Sequence, residues 1–250
     1  RVTMKDYNVG IVEEIRKSLV EMATKHPEEY TSVLMQGSGT YCVEAVLGSA
    51  SSRVTSCLSS ATVLTQPHGS HCRPPRHCLR HGGFRGDHAG RPRSVEKNLS
   101  RHGDVTHVAF VHCETTTGIL NPLPELARVV KAHGKKLIVD CMSSFGGIPL
   151  DVNELGIDFL ISSSNKCIQG VPGFGFIIAR RSELMRCKGV ARSLSLDIYD
   201  QWETMEKGHG KWRFTSPTHV SALQTGVGPN FLEEGGVEAR YQRFIAKITR

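Results

Sequence analysis

The sequence has no apolar run long enough to cross a bilayer, and its first residues lack the pattern of a signal peptide. A soluble, cytoplasmic protein without membrane contacts is therefore the expectation. No Cys-x-x-Cys pair occurs. The eight cysteines are scattered without the rhythm of a disulfide scaffold, in a chain of 250 residues that can bury a core without one. Cys42, Cys113, Cys141, Cys167 and Cys187 lie in or beside apolar segments and read as reduced, buried small side chains.

Acidic residues are nearly absent from one stretch. Residues 51–95 hold seven arginines against a single acid, Asp87, and so carry +6 of the net charge of +7. The basic balance belongs to that block and not to the chain as a whole. Nucleic-acid binding is not the expectation there, because Phe84 is the one aromatic interleaved with the arginines and no binding motif is present. A metal site at His71, Cys72, His77, Cys78 and His81 is equally disfavoured: the cysteines are not paired, and Pro74-Pro75 opposes the helix that would align His77 with His81. The block shows no sustained period of 2 or 3.6, and little apolar content to offset its ordering entropy. Its residue usage changes abruptly near Ser51 and changes back near Val95, as reading a gene out of frame would produce. Residues 51–94 are expected to be irregular.

Regular patterning surrounds the block. Ile11, Ile15, Leu19 and Met22 form one stripe of an amphipathic helix within residues 6–26, stopped before Pro27. Thr31 to Met35 read as a strand, followed by Gly37-Ser38-Gly39-Thr40 and a helix-like Tyr41 to Leu47. A glycine-rich turn between strand and helix gathers free N–H groups at a positive helix end, which suits a phosphate, although an ordinary turn has the same composition. Thr106 to His112, Pro122 to His133 and Leu137 to Asp140 make a strand–helix–strand unit, which implies parallel neighbours. Leu126, Val129 and Val130 face inward on its helix. Phe174 to Ala179 read as a further strand, and Ser182 as the cap of a short helix ending near Cys187.

The chemistry concentrates between residues 135 and 175. The apolar run Leu137-Ile138-Val139 ends on Asp140; a second run, Phe159-Leu160-Ile161, ends in a serine-rich turn carrying Lys166. Charged groups at the carboxyl ends of buried strands sit where open α/β sheets bind ligands. A carboxylate and a lysine delivered there suit pyridoxal phosphate: the lysine forms the Schiff base, and the carboxylate keeps the pyridine nitrogen protonated.

At these residues the sequence resembles a known family. Asp140 and the stretch Ser164-Asn165-Lys166-Cys167-Ile168-Gln169-Gly170-Val171-Pro172-Gly173-Phe174-Gly175 are similar to the class V aminotransferases, fold type I pyridoxal-phosphate enzymes of the aspartate aminotransferase superfamily. Within that class the likeness is to the transaminases of 2-aminoethylphosphonate and pyruvate. Alternatives are a transaminase of the alanine–glyoxylate or serine–pyruvate type, or an inactive fragment of such an enzyme. The resemblance extends over nearly everything outside 51–95 and 221–230.

It implies an α/β fold type I large domain with a mostly parallel sheet, built from residues 1–50 and 95–220. Residues 221–250 would begin an incomplete C-terminal domain, the small domain being largely missing. It implies pyridoxal 5'-phosphate bound through Lys166 and Asp140, with Ser38, Gly39 and Thr40 on the phosphate and Thr115 touching the cofactor. Thr215 would reach the phosphate of a neighbouring subunit, so the family is a homodimer. The implied substrates are 2-aminoethylphosphonate and pyruvate, with no metal, nucleic acid or membrane involved. The ring-stacking aromatic, an entrance segment before Arg1 and the carboxylate-gripping arginine of the small domain find no match, so the chain as written is expected not to be a competent transaminase.

Overall fold

A computed structural model of the protein describes residues 10–50, 56–59, 79–81, 92–214 and 229–248. The first helix, α1 (Glu13–Ala23), buries Ile15, Leu19, Val20 and Ala23 along one side, together with the stem of Arg16. It ends where Thr24 turns extended and its hydroxyl donates to Asp151 at 2.9 Å. A short turn at Pro27–Glu29 then feeds β1 (Tyr30–Gln36). There follow α2 (Gly39–Ser49), β2 (Ser56–Ser59), β3 (Leu79–His81), α3 (Pro92–Arg101), β4 (Val105–Val111), α4 (Leu123–Ala132), β5 (Lys136–Asp140), β6 (Phe159–Ser163) and β7 (Phe174–Arg180). The chain goes on through α5 (Arg181–Arg186), α6 (Ile198–Lys207), α7 (Pro229–Glu233) and α8 (Gly236–Ile248).

The strands form one sheet in the order β1-β7-β6-β5-β4-β2-β3. Pairing is antiparallel between β1 and β7 and between β7 and β6, and parallel in every other neighbouring pair. The sheet is thus mostly parallel, and the expected pairing of the 106–112 and 137–140 strands is present as His107↔Lys136 to Val111↔Asp140. Helices cover both faces, so strands such as β6 are buried along their whole length and read as continuous apolar runs. Successive residues alternate between two cores. Leu34, Val139, Leu160 and Ile178 join α1, α3 and α4 on one side, while Val33, Ile138, Ile161 and Ile177 join α2, α5 and α6 on the other.

Several sequence expectations need correction. Strands β2 and β3 lie inside the block expected to be irregular, with Cys57, Leu58 and Ser59 in register with His107, Val108 and Ala109. The open side of β4 offers a row of backbone donors and acceptors, and pairing to it overrides unfavourable composition. The remainder of 51–91, with its histidines and arginines, lies outside the described residues apart from Leu79–His81. Ser182 is not a cap, because α5 begins one residue earlier behind Arg180, with no side-chain capping bond. Cys113 and Cys167 are half-buried, whereas Cys42, Cys141 and Cys187 are buried; all five are free thiols. Helix α6 was not anticipated, although its cap is legible: Asp197 accepts the N–H groups of Tyr199 and Asp200 at 2.9 and 3.0 Å. Among the described residues no helix is long and apolar enough to cross a membrane.

Candidate active site

Asp140 ends β5 at the carboxyl edge of the sheet, 4% exposed. Its backbone carbonyl accepts the N–H of His112, and its Oδ1 accepts the N–H of Met142 at 2.9 Å. Burial above all, with the neighbouring Glu114, raises its carboxyl to about 6 against the Met142 hydrogen bond and Lys166, which lower it. Among the described residues no ion pair holds this dry carboxylate.

The start of α2 reaches the same turn. A Cβ on Gly39 would lie 2.1 Å from Met142 Sδ, and one on Gly175 of β7 would lie 2.5 Å from Cys42 Sγ and 3.2 Å from Gly39 Cα. Glycine at both positions therefore lets the helix N-terminus sit directly against β7 and the Asp140 turn. Ser38 occupies the N-cap position yet makes no capping hydrogen bond. Its hydroxyl and the leading N–H groups of α2 are left to receive an anion, which the helix dipole favours. Ser38 and Thr40 are exposed and Gly39 is buried.

Lys166 follows β6 on a tight turn and is half-buried. Among the described residues its side chain makes no hydrogen bond or ion pair, while its charge is felt at Asp140, Cys113 and Cys167. Thr115, after β4, shares a 2.7 Å hydrogen bond with the hydroxyl of Ser143. Asp140, Lys166, Thr115 and the Gly37–Thr40 turn are thus gathered at one edge of the sheet. Thr215 lies outside the described residues.

Three neighbours were not singled out from the sequence. Glu114 is buried beside Asp140. His112 is buried and hydrogen-bonds the Ser144 hydroxyl at 2.9 Å, with burial pushing its imidazole down to about 4. Ser143 ties Thr115 to the Asp140 turn. The Ser143-Ser144 pair, three residues after a strand-ending aspartate, was the available signal. Cys42 and Cys141 are poor nucleophiles here, since burial, with Asp140 nearby, pushes both thiols well above their usual range.

This donor set fits pyridoxal phosphate. An uncapped helix start suits the phosphate, a buried carboxylate of raised pKa suits a protonated ring nitrogen, and a lysine with no hydrogen-bond partner among the described residues suits covalent attachment.

Comparison with known proteins agrees with the geometry. The family model described as aminotransferase class-V matches residues 84–244. A 2-aminoethylphosphonate–pyruvate transaminase of Bacteroides fragilis (strain YCH46) is 65% identical over 241 residues, covering 96% of this chain and 67% of the relative. A transaminase of the same name from Vibrio vulnificus (strain YJ016) is 53% identical over 243 residues, covering 96% and 65%. The chain spans about two thirds of the length of these relatives. Among solved structures, pyridoxamine–pyruvate aminotransferase from Mesorhizobium loti superposes with a TM-score of 0.79 at 24% identity, over 97% of this chain and 62% of that one. Alanine–glyoxylate aminotransferase from Nostoc sp. superposes with a TM-score of 0.78 at 20% identity, over 94% and 62%. At such identities the superpositions establish the shared fold.

Proposed function

The chain belongs to the class V aminotransferases, and from that premise we propose, in place of the expected loss of activity, that it transfers the amino group of 2-aminoethylphosphonate to pyruvate, giving phosphonoacetaldehyde and alanine. The observation that carries the choice of substrates is its 65% identity to a transaminase of that name.

Pyridoxal phosphate, when bound, would supply an electron sink for the substrate carbon that gives up its proton. The Nζ of Lys166 would hold the cofactor covalently and would serve as the general acid and base for the proton that moves. Asp140 would keep the ring nitrogen protonated, its dry surroundings strengthening such a pairing. The Ser38 hydroxyl and the N–H groups of Gly39 and Thr40 would hold the phosphate, and Thr115, braced by Ser143, would contact the cofactor. Thr215 completes the phosphate site of a neighbouring subunit in a cytoplasmic homodimer.

Borohydride reduction of the protein incubated with pyridoxal phosphate, followed by peptide mapping, tests the attachment. A pyridoxyl group on Lys166 is the expected result, and a label on another lysine with Lys166 unmodified overturns it. Coupling alanine formation to a dehydrogenase tests the donor: 2-aminoethylphosphonate should outperform serine, and the reverse ranking overturns the substrate assignment.

A further inference from the structure

The Lys166 turn is tightly closed upon itself. Ser164 Oγ donates to the carbonyls of Val171 and Phe174 at 2.6 and 3.1 Å, Gly170 N–H to Ser164 O at 2.8 Å, and Gln169 N–H to Lys166 O at 2.8 Å. Gln169 adopts a φ of +64° to allow the last of these, a conformation that costs a non-glycine residue free energy and persists only when its surroundings enforce it. The carbonyls of Cys167 and Ile168 take no part in this internal bonding. Both are reached from α8: Arg240 Nη1 donates to Cys167 O at 2.8 Å and to Ile168 O at 3.4 Å.

Arg240 is held rigidly for that purpose. It is 3% exposed, its Nε donates to Glu234 Oε2 at 3.1 Å, Nη2 pairs with the same oxygen, and its guanidinium lies 4.5 Å from the Phe231 ring centre. Arg243, one turn further along α8, also pairs with Glu234, at 3.0 Å, and has no hydrogen bond to the turn. Cys167 is tied in addition through Sγ to Ser143 O at 3.4 Å, which joins the turn to the Asp140 loop.

We propose that Arg240 is a positioning residue for Lys166: it fixes the peptide immediately after the lysine and so sets the direction in which Lys166 leaves the turn. The inference rests on Lys166 being the cofactor lysine. Removing the guanidinium leaves the carbonyls of Cys167 and Ile168 without their donor, and a lysine, as a single compact charge, cannot hold both carbonyls and Glu234 in the planar arrangement that arginine provides. Small misplacement of a reacting group slows chemistry steeply.

Two measurements on Arg240→Met, Arg240→Lys and Arg243→Met decide it. Amide hydrogen exchange over residues 164–170, without cofactor, should accelerate about tenfold or more in Arg240→Met, less in Arg240→Lys, and not at all in Arg243→Met. The rate at which borohydride traps pyridoxal phosphate on Lys166 should fall in the same order. Parent-like exchange in Arg240→Met, or equal acceleration in Arg243→Met, overturns the proposal, the latter because only helix packing would then be at work. If Arg240→Met does not fold, Arg240→Lys must still show faster exchange and slower trapping than Arg243→Met, or the proposal falls. A parent protein with no label on Lys166 overturns the functional reading instead, and the exchange series still decides whether Arg240 holds the turn.

Discussion

Asp158 and Asp140 are both buried, 2% and 4% exposed, at opposite ends of the central strands. Asp158, just ahead of β6, receives Lys131 Nζ at 2.6 Å and the Leu137 N–H at 2.7 Å on one oxygen, with Arg180 Nε 3.8 Å from the other. Asp140, at the end of β5, receives the Met142 N–H, lies beside Glu114, and is pushed up to about 6. The same residue type at the same depth is compensated by two cations in one place and left waiting for one in the other. The compensated aspartate is architecture. The other stores unfavourable charge at the edge where ligands bind, as functional sites do.

The contrast is sharpest in substitution. Asp140→Asn should lower transamination by about a hundredfold or more, since the ring nitrogen loses the group that keeps it protonated; parent-like turnover would remove Asp140 from the site. Asp158→Asn should leave the site intact but cost about 3 kcal/mol of stability, because it strands Lys131 and Arg180 without their shared anion. Denaturant midpoints measure this, and a shift in the same direction for both variants would end the distinction.

Asp140→Asn should instead stabilise the cofactor-free protein at neutral pH, by about 2 kcal/mol. The sign follows from the raised folded pKa: Asp140 adds stability while protonated, below about 4, and that contribution is lost as pH rises through about 6. His112 works the other way. Held neutral with a pKa near 4 instead of 6.5, it contributes fully above about 6.5 and loses that contribution as pH falls toward 4. The melting-temperature gap between Asp140→Asn and the parent should therefore widen from pH 4 to pH 6 and then level off; a gap independent of pH would mean that Asp140 is not strained. The smallest effect is expected at Thr115, where Thr115→Val removes one exposed hydroxyl bond to Ser143 and should weaken cofactor binding about threefold to tenfold, read by absorbance titration.

Much of this edge was legible in the sequence. Short apolar runs ending on Asp140 and before Lys166, and a glycine-rich strand–helix turn, are local signals, and β1, β4, β5, β6, β7, α2 and α4 follow them closely. What escaped was non-local. Strand β2 exists because β4 has a free side to pair with, and β3 because β2 then has one, which their own composition does not announce. The cysteines separated by context too: Cys141 is sealed between β5 and its turn, while Cys113 and Cys167 sit half-open at the edge.

By itself, then, the sequence determined which residue types arrive at the carboxyl edge, because strand period, turn chemistry and the order of strand and helix are written in near neighbours. Tertiary structure alone decided which buried aspartate lacks a cation, and which arginine holds the lysine turn. Charge compensation depends on whatever packs within a few ångströms, and those groups come from afar: Arg240 meets Cys167 across 73 positions, and Arg180 and Lys131 converge on Asp158 from separate elements.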